Sequence, residues 1–163
     1  MWKRDRLGWL LVAAGLVLGG CTGHGDGGQP AARTAGLAAG GCDDAVKRAP
    51  LPTWARAGFT PPDQATTYVQ GAGGDIVGVL FGPLTVPPSR GRQNKILWVA
   101  RVSEGGDPLR ITARLAGSDV VAHRQVEGGS GPSIVDLPAA GCWRFDLTWS
   151  GHDDRLWVPY QAG

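Results

Sequence analysis

The hydrophobic pattern of the chain has a period of two over its C-terminal two thirds and one unbroken apolar run near its start. Leu109-Arg-Ile-Thr-Ala-Arg-Leu115 alternates, with Leu109, Ile111, Ala113 and Leu115 on one side, and Lys95 to Val102 is a mostly apolar run rich in β-formers. Both predict strands. Further strands are predicted at Thr67–Gln70, Asp75–Phe81, Val120–Val126 and Ser133–Leu137. Gly71–Gly74, Pro87-Pro88, Gly105-Gly106-Asp107-Pro108, Gly117-Ser118-Asp119 and Gly128–Pro132 separate them as turns. The one helical turn expected lies at Thr53–Ala57, after Pro52.

The C-terminal hairpin carries the clearest pattern. In Cys142–Trp149 the residues Trp143, Phe145, Leu147 and Trp149 share one face, and Arg144, Asp146 and Thr148 share the other. A turn at Ser150-Gly-His-Asp153 returns the chain through Asp154 to Tyr160. That register sets Trp143 opposite Tyr160, Phe145 opposite Val158 and Leu147 opposite Leu156. Seven or so short strands, antiparallel by their turns, predict an all-β fold: an immunoglobulin-like antiparallel β-sandwich.

The unbroken apolar run, from Leu7 to about Gly20, follows a basic start at Lys3, Arg4 and Arg6. Its length of about 14 residues suits a secretory signal and falls short of the roughly 20 that a spanning helix needs. It ends in Leu18-Gly19-Gly20-Cys21, which resembles the lipobox of bacterial lipoproteins. The resemblance implies that residues 1–20 are removed and that Cys21 is lipidated and becomes the N-terminus. The following stretch to Gly41 holds seven glycines and almost no large apolar side chains. It cannot bury enough to fold. Residues 21–41 are expected to be a lipidated, disordered tether with a reach of about 25 Å, and residues 42–163 a single domain.

Composition changes the picture in two ways. The formal charge of +2 belongs mostly to the signal; without Lys3, Arg4, Arg6 and Asp5, 13 basic and 13 acidic residues remain. No nucleic-acid partner is implied, because that would need a clustered basic excess. The 13 arginines against three lysines, with abundant glycine, alanine and proline, point to a GC-rich genome. Lipidation of Cys21 leaves an even pair, Cys42 and Cys142, and an oxidising compartment favours their pairing. Cys142 is out of phase with the core-facing residues, so the bridge is expected at an edge or outer face.

Candidate chemistry is sparse. His24, His123 and His152 share no ligand spacing, and Met1 is the only methionine, so neither a metal nor any other cofactor is expected. Gly128-Gly-Ser-Gly-Pro132 has proline where a nucleophile elbow needs glycine. His152-Asp153-Asp154 reads as a hairpin turn, and Asp43-Asp44 lacks the rigid frame that acid–base work requires. Trp157 is the remaining oddity. Its parity turns it away from Leu156 and Val158, beside Asp146 and close to Arg144, where an aromatic ring can anchor a protein, stack on a sugar, or be covered by the N-terminal segment that Cys42 would bring to Cys142. The loop Ser89-Arg-Gly-Arg-Gln-Asn-Lys95 adds Arg90 and Arg92 as possible contacts.

Pro132–Trp149, with Asn94–Trp98 and Leu51–Ala55 upstream, resembles a group of small, uncharacterised Gram-positive lipoproteins over most of the domain. Pro138-Ala-Ala-Gly-Cys-Trp143 also resembles the corner at which immunoglobulin-like domains enter their penultimate strand, with Trp143 in place of tyrosine. The resemblance implies a fold and an address, with no catalytic residues to transfer. The expected function is therefore that of a membrane-anchored, extracytoplasmic, non-enzymatic binding or structural module. Its partner is an envelope protein; the alternative is a cell-wall glycan-binding module or weak hydrolase.

Overall fold

The computed structural model describes residues 42–102 and 106–163. The expected signal sequence at 1–20, Cys21, the expected tether to residue 41 and His24 lie outside the described residues. Among the described residues ten strands form two five-stranded sheets. The first has the order β1-β2-β3-β5-β8, built from Val46–Ala49, Thr66–Gln70, Ile76–Leu80, Lys95–Ala100 and Pro132–Ile134. The second has the order β4-β10-β9-β6-β7, built from Thr85–Val86, His152–Ala162, Gly141–Trp149, Leu109–Leu115 and Val121–Val126. The fold is an all-β sandwich. One pairing departs from the expected antiparallel pattern: β4 runs parallel to the end of β10, with Gln161 beside Thr85 and Ala162 beside Val86.

Alternation explains the core. Leu109, Ile111 and Ala113 of β6, Trp143, Phe145 and Leu147 of β9, and Leu156, Val158 and Tyr160 of β10 are all buried on one side of the second sheet. They meet Val69, Ile76, Ile96 and Trp98 of the first sheet, and the Trp98 and Phe145 rings stand 6.2 Å apart, centroid to centroid. Each buried indole finds an acceptor, as a buried N–H must. Trp98 Nε1 donates to Ser133 Oγ at 3.0 Å, Trp143 Nε1 to the Ala139 carbonyl at 3.0 Å, and Trp149 Nε1 to the Val102 carbonyl at 2.8 Å. The Trp143 bond reaches back four residues, the same device by which a tyrosine corner ties its strand to the preceding loop. Across the core, the Tyr160 hydroxyl donates to the Val135 carbonyl at 2.6 Å, and burial pushes its pKa far above the ordinary phenol range.

The expected hairpin register is corrected by two residues. Trp149 pairs with His152, so Trp143 faces Val158, Phe145 faces Leu156 and Leu147 faces Asp154. The turn contains two residues, Ser150 and Gly151, and not four. Both have positive φ, 41° and 77°, as a type I′ turn demands, and such turns match the twist of the strands they join. A shift of two preserves parity, so the core faces remain as read while every cross-strand partner changes.

A second, smaller cluster lies on the other side of the first sheet. The segment after β1, containing the 3-10 turn Thr53–Ala55, lays Leu51 and Ala55 against Tyr68, Val77 and Val79, with Trp54, Phe59, Leu97 and Val99 around them. All five residues of β3 are consequently buried. This covering explains why Ile76–Leu80 is a continuous apolar run instead of an alternating one.

Cys42 and Cys142 are joined by a disulfide, with their Cα atoms 5.5 Å apart. Cys142 sits opposite Pro159 on the side of β9 away from Trp143. The bridge is therefore on the outer face of the second sheet, with the 3-10 turn Asp43–Ala45 lying alongside β10.

Candidate functional site

The outer face of the second sheet is where the polar residues of the alternating strands collect. Pairing of β6, β9 and β10 sets Arg114 opposite Arg144 and Arg144 opposite Trp157. The adjacent row places Thr112 opposite Asp146 and Asp146 opposite Arg155. A third row holds Arg110, opposite Thr148, and then Asp153. The residues of this face are half-buried or exposed, whereas the equivalent face of the first sheet is largely covered by the Leu51–Phe59 segment.

Asp146 is its electrostatic centre. Arg155 Nε donates to Asp146 Oδ1 at 2.7 Å, Arg144 Nη2 donates to Oδ2 at 3.0 Å, and Arg114 Nε lies 3.7 Å from Oδ2. Partial burial works to raise the carboxyl pKa, but the hydrogen bonds from Arg155 and Arg144 and their charges outweigh it and hold the group below the ordinary carboxylate range. Arg144 Nε is buried and has no hydrogen-bond partner. Trp157 is half buried beside this cluster.

Of the residues singled out in the sequence, the fold brings Arg144 and Trp157 together and leaves Arg90 and Arg92 elsewhere. Trp157 was expected to stand beside Asp146 with Arg144 close by. The two-residue register shift puts Arg144 opposite it and gives Asp146 to Arg155. Arg90 and Arg92 are exposed on the turn closed by the Arg92 N–H donating to the Ser89 carbonyl. The Arg92 guanidinium packs against Gly82. Among the described residues no hydrogen bond or ion pair joins either arginine to Arg144 or Trp157. Much of that loop is structural. Asn94 is buried, accepts the Thr85 N–H at 2.8 Å and donates to the Thr85 carbonyl and to Asp136 Oδ1, both at 2.9 Å. Lys95 rests its ammonium 5.3 Å from the centre of the Phe81 ring.

The remaining candidates are placed apart. His123 is exposed on β7, with its Nδ1 3.3 Å from Thr112 Oγ1, and His152 stacks on Trp149 with ring centroids 5.8 Å apart. Gly128–Gly131 connects β7 to β8, a strand-to-strand passage, and Asp44 is exposed in the turn that follows Cys42. Among the described residues no group of three or more His, Cys, Asp or Glu is placed to hold a metal ion.

Asp154, expected with His152 and Asp153 in a hairpin turn, lies instead with them in β10, and its role escapes the sequence reading. Parity assigns it to the core side of β10, and it is 7% exposed. Its carboxylate accepts the Gly73 N–H at 2.8 Å, the Asp75 N–H at 3.1 Å and the Arg155 N–H at 2.7 Å. It thus caps the β2–β3 turn from the other sheet. The fit requires glycine at 71, where a Cβ would stand 2.0 Å from Asp154 Oδ2. The Gly71–Gly74 cluster carried the only available signal, since such a turn offers free backbone N–H groups.

No family model, curated protein or solved structure matches the chain.

Proposed function

We propose that the protein is an exported lipoprotein, lipidated at Cys21, whose sandwich is a non-catalytic binding module held at the outer surface of the cell membrane. The observation that carries this reading is the Cys42–Cys142 disulfide. It pairs the two cysteines that lipidation leaves over, and such bridges persist in oxidising, extracytoplasmic compartments. The basic start, short apolar run and Leu18-Gly19-Gly20-Cys21 exit supply the export and anchoring signals. The broad polar face bearing Arg144 and Trp157 supplies a surface for contact.

Fractionation with palmitate labelling tests the address. Wild-type protein is expected in the membrane fraction, labelled. Cys21→Ala is expected to lose the label and leave the membrane. A variant that remains membrane-bound after a high-salt wash would overturn the lipoprotein reading.

A further inference from the structure

Folding gathers arginines that the sequence keeps apart. Arg114, Arg144 and Trp157 form one row across β6, β9 and β10, with Asp146 and Arg155 in the next. Like charges directly opposite each other destabilise a sheet. Here Arg114 faces Arg144, and the carboxylate that bridges them, Asp146, is shared with Arg155. Three guanidinium groups around one carboxylate leave a formal +2 within a chain whose mature part is balanced. The side chains of Arg114 and Arg155 are 49% and 59% exposed and that of Arg144 is 33% exposed, so all three reach solvent although Arg144 Nε is itself buried.

An oxyanion lying over Arg114 and Arg144 would relieve this repulsion. Guanidinium groups bind carboxylate and phosphate as planar two-pronged donors, which gives geometric selection in addition to charge. Trp157 ends the row with a half-buried side chain, an aromatic with apolar area and a polar N–H of the kind suited to an interface, and the part of its ring that reaches solvent can pack on the C–H face of a sugar. We propose that this face binds an anionic glycan of the cell envelope, a polymer whose sugar or polyol units carry phosphate or carboxylate groups. Arg114 and Arg144 hold the oxyanion and Trp157 packs on the neighbouring unit. The inference rests on the reading of the chain as an exported binding module and names its ligand class. The membrane surface fits less well. Anionic bilayers are recognised by clusters of about four to eight free basic residues, whereas three of the four arginines on this face, Arg114, Arg144 and Arg155, already share the Asp146 carboxylate and only Arg110 stands outside that cluster.

The test uses full-length protein in detergent, with poly(glycerol phosphate), polygalacturonate and neutral dextran as probes and phosphatidylglycerol vesicles in parallel. Tryptophan fluorescence and co-sedimentation report binding, and thermal unfolding reports the fold. Binding is expected to a polyanion and not to dextran, and the preferred polymer identifies phosphate or carboxylate as the oxyanion. Arg114→Gln and Arg144→Gln should each weaken it at least tenfold, and Trp157→Ala should weaken it and reduce the fluorescence change. Asp146→Asn, which removes the competing carboxylate, should bind several-fold more tightly, a gain that a purely structural role would not produce. If Arg144→Gln fails to fold, Arg144→Lys keeps the charge, loses the fork and should still bind more weakly. Undiminished binding by the folded arginine variants, no polyanion binding by wild type, or binding confined to vesicles would overturn the proposal. None of these outcomes alters the Cys21→Ala fractionation result, so the two readings fail separately.

Discussion

Asp154 occupies a position where hairpin parity calls for an apolar side chain, and its three backbone donors explain why a carboxylate is retained there. Removing it leaves the Gly73 and Asp75 N–H groups without acceptors. Asp154→Ala is expected to lower the unfolding free energy by about 2 kcal/mol, and Asp154→Asn by less, since the amide oxygen keeps one acceptor. Urea titration measures both. Asp146 acts through charge instead. Its carboxyl is held below the ordinary range in the folded state, so its contribution is fully present above the unfolded value and is lost as the pH falls through the lower folded one. Wild type should therefore lose more stability than Asp146→Asn on acidification below about pH 4. Parallel thermal melts of the two proteins across that range check the sign.

At the level of elements, the strands that alternate were legible, because a period of two over six or more residues specifies both a strand and its buried face. Val46–Ala49 and Thr85–Val86 were not, since neither is long enough to show a period. The hairpin register was misread because Ser150-Gly-His-Asp153 looks like a four-residue turn by composition. The preference for positive φ at only two of those positions decides otherwise. Ser150 holds that conformation without the tolerance of asparagine, so Ser150→Asn should stabilise the hairpin by about 0.5 to 1 kcal/mol. Chemical denaturation provides the comparison. The candidate site was half legible for the same reason. Parity put Arg144 and Trp157 on one face, but Arg114 joins them only because β6 lies next to β9, a neighbour relation that skips β7 and β8. No local pattern encodes such a relation.

For the whole molecule, the disulfide links residues 100 positions apart while lying outside the main core. Its contribution comes chiefly from restricting the unfolded chain, whereas the buried cluster around Trp98, Trp143 and Phe145 does not depend on it. Replacing both Cys42 and Cys142 by serine should lower stability by about 3 kcal/mol and leave the β-sheet circular dichroism spectrum in place. Loss of the β spectrum would show that the bridge is required for the fold itself.

The position of that bridge also sets a mechanical property. Force applied to the chain upstream of residue 42 need not be carried first by β1, the edge strand that follows and the easiest to peel. It passes through the sulfur atoms to Cys142 at the start of β9, a strand flanked on both sides by β10 and β6. Arg144 and Asp146 stand two and four residues further along that strand. In a protein anchored upstream of Cys42 as proposed, a load between that anchor and a ligand gripped on the outer face would enter through β9 and pass directly to its neighbours β6 and β10, which carry Arg114 and Trp157, without first loading the edge strand β1.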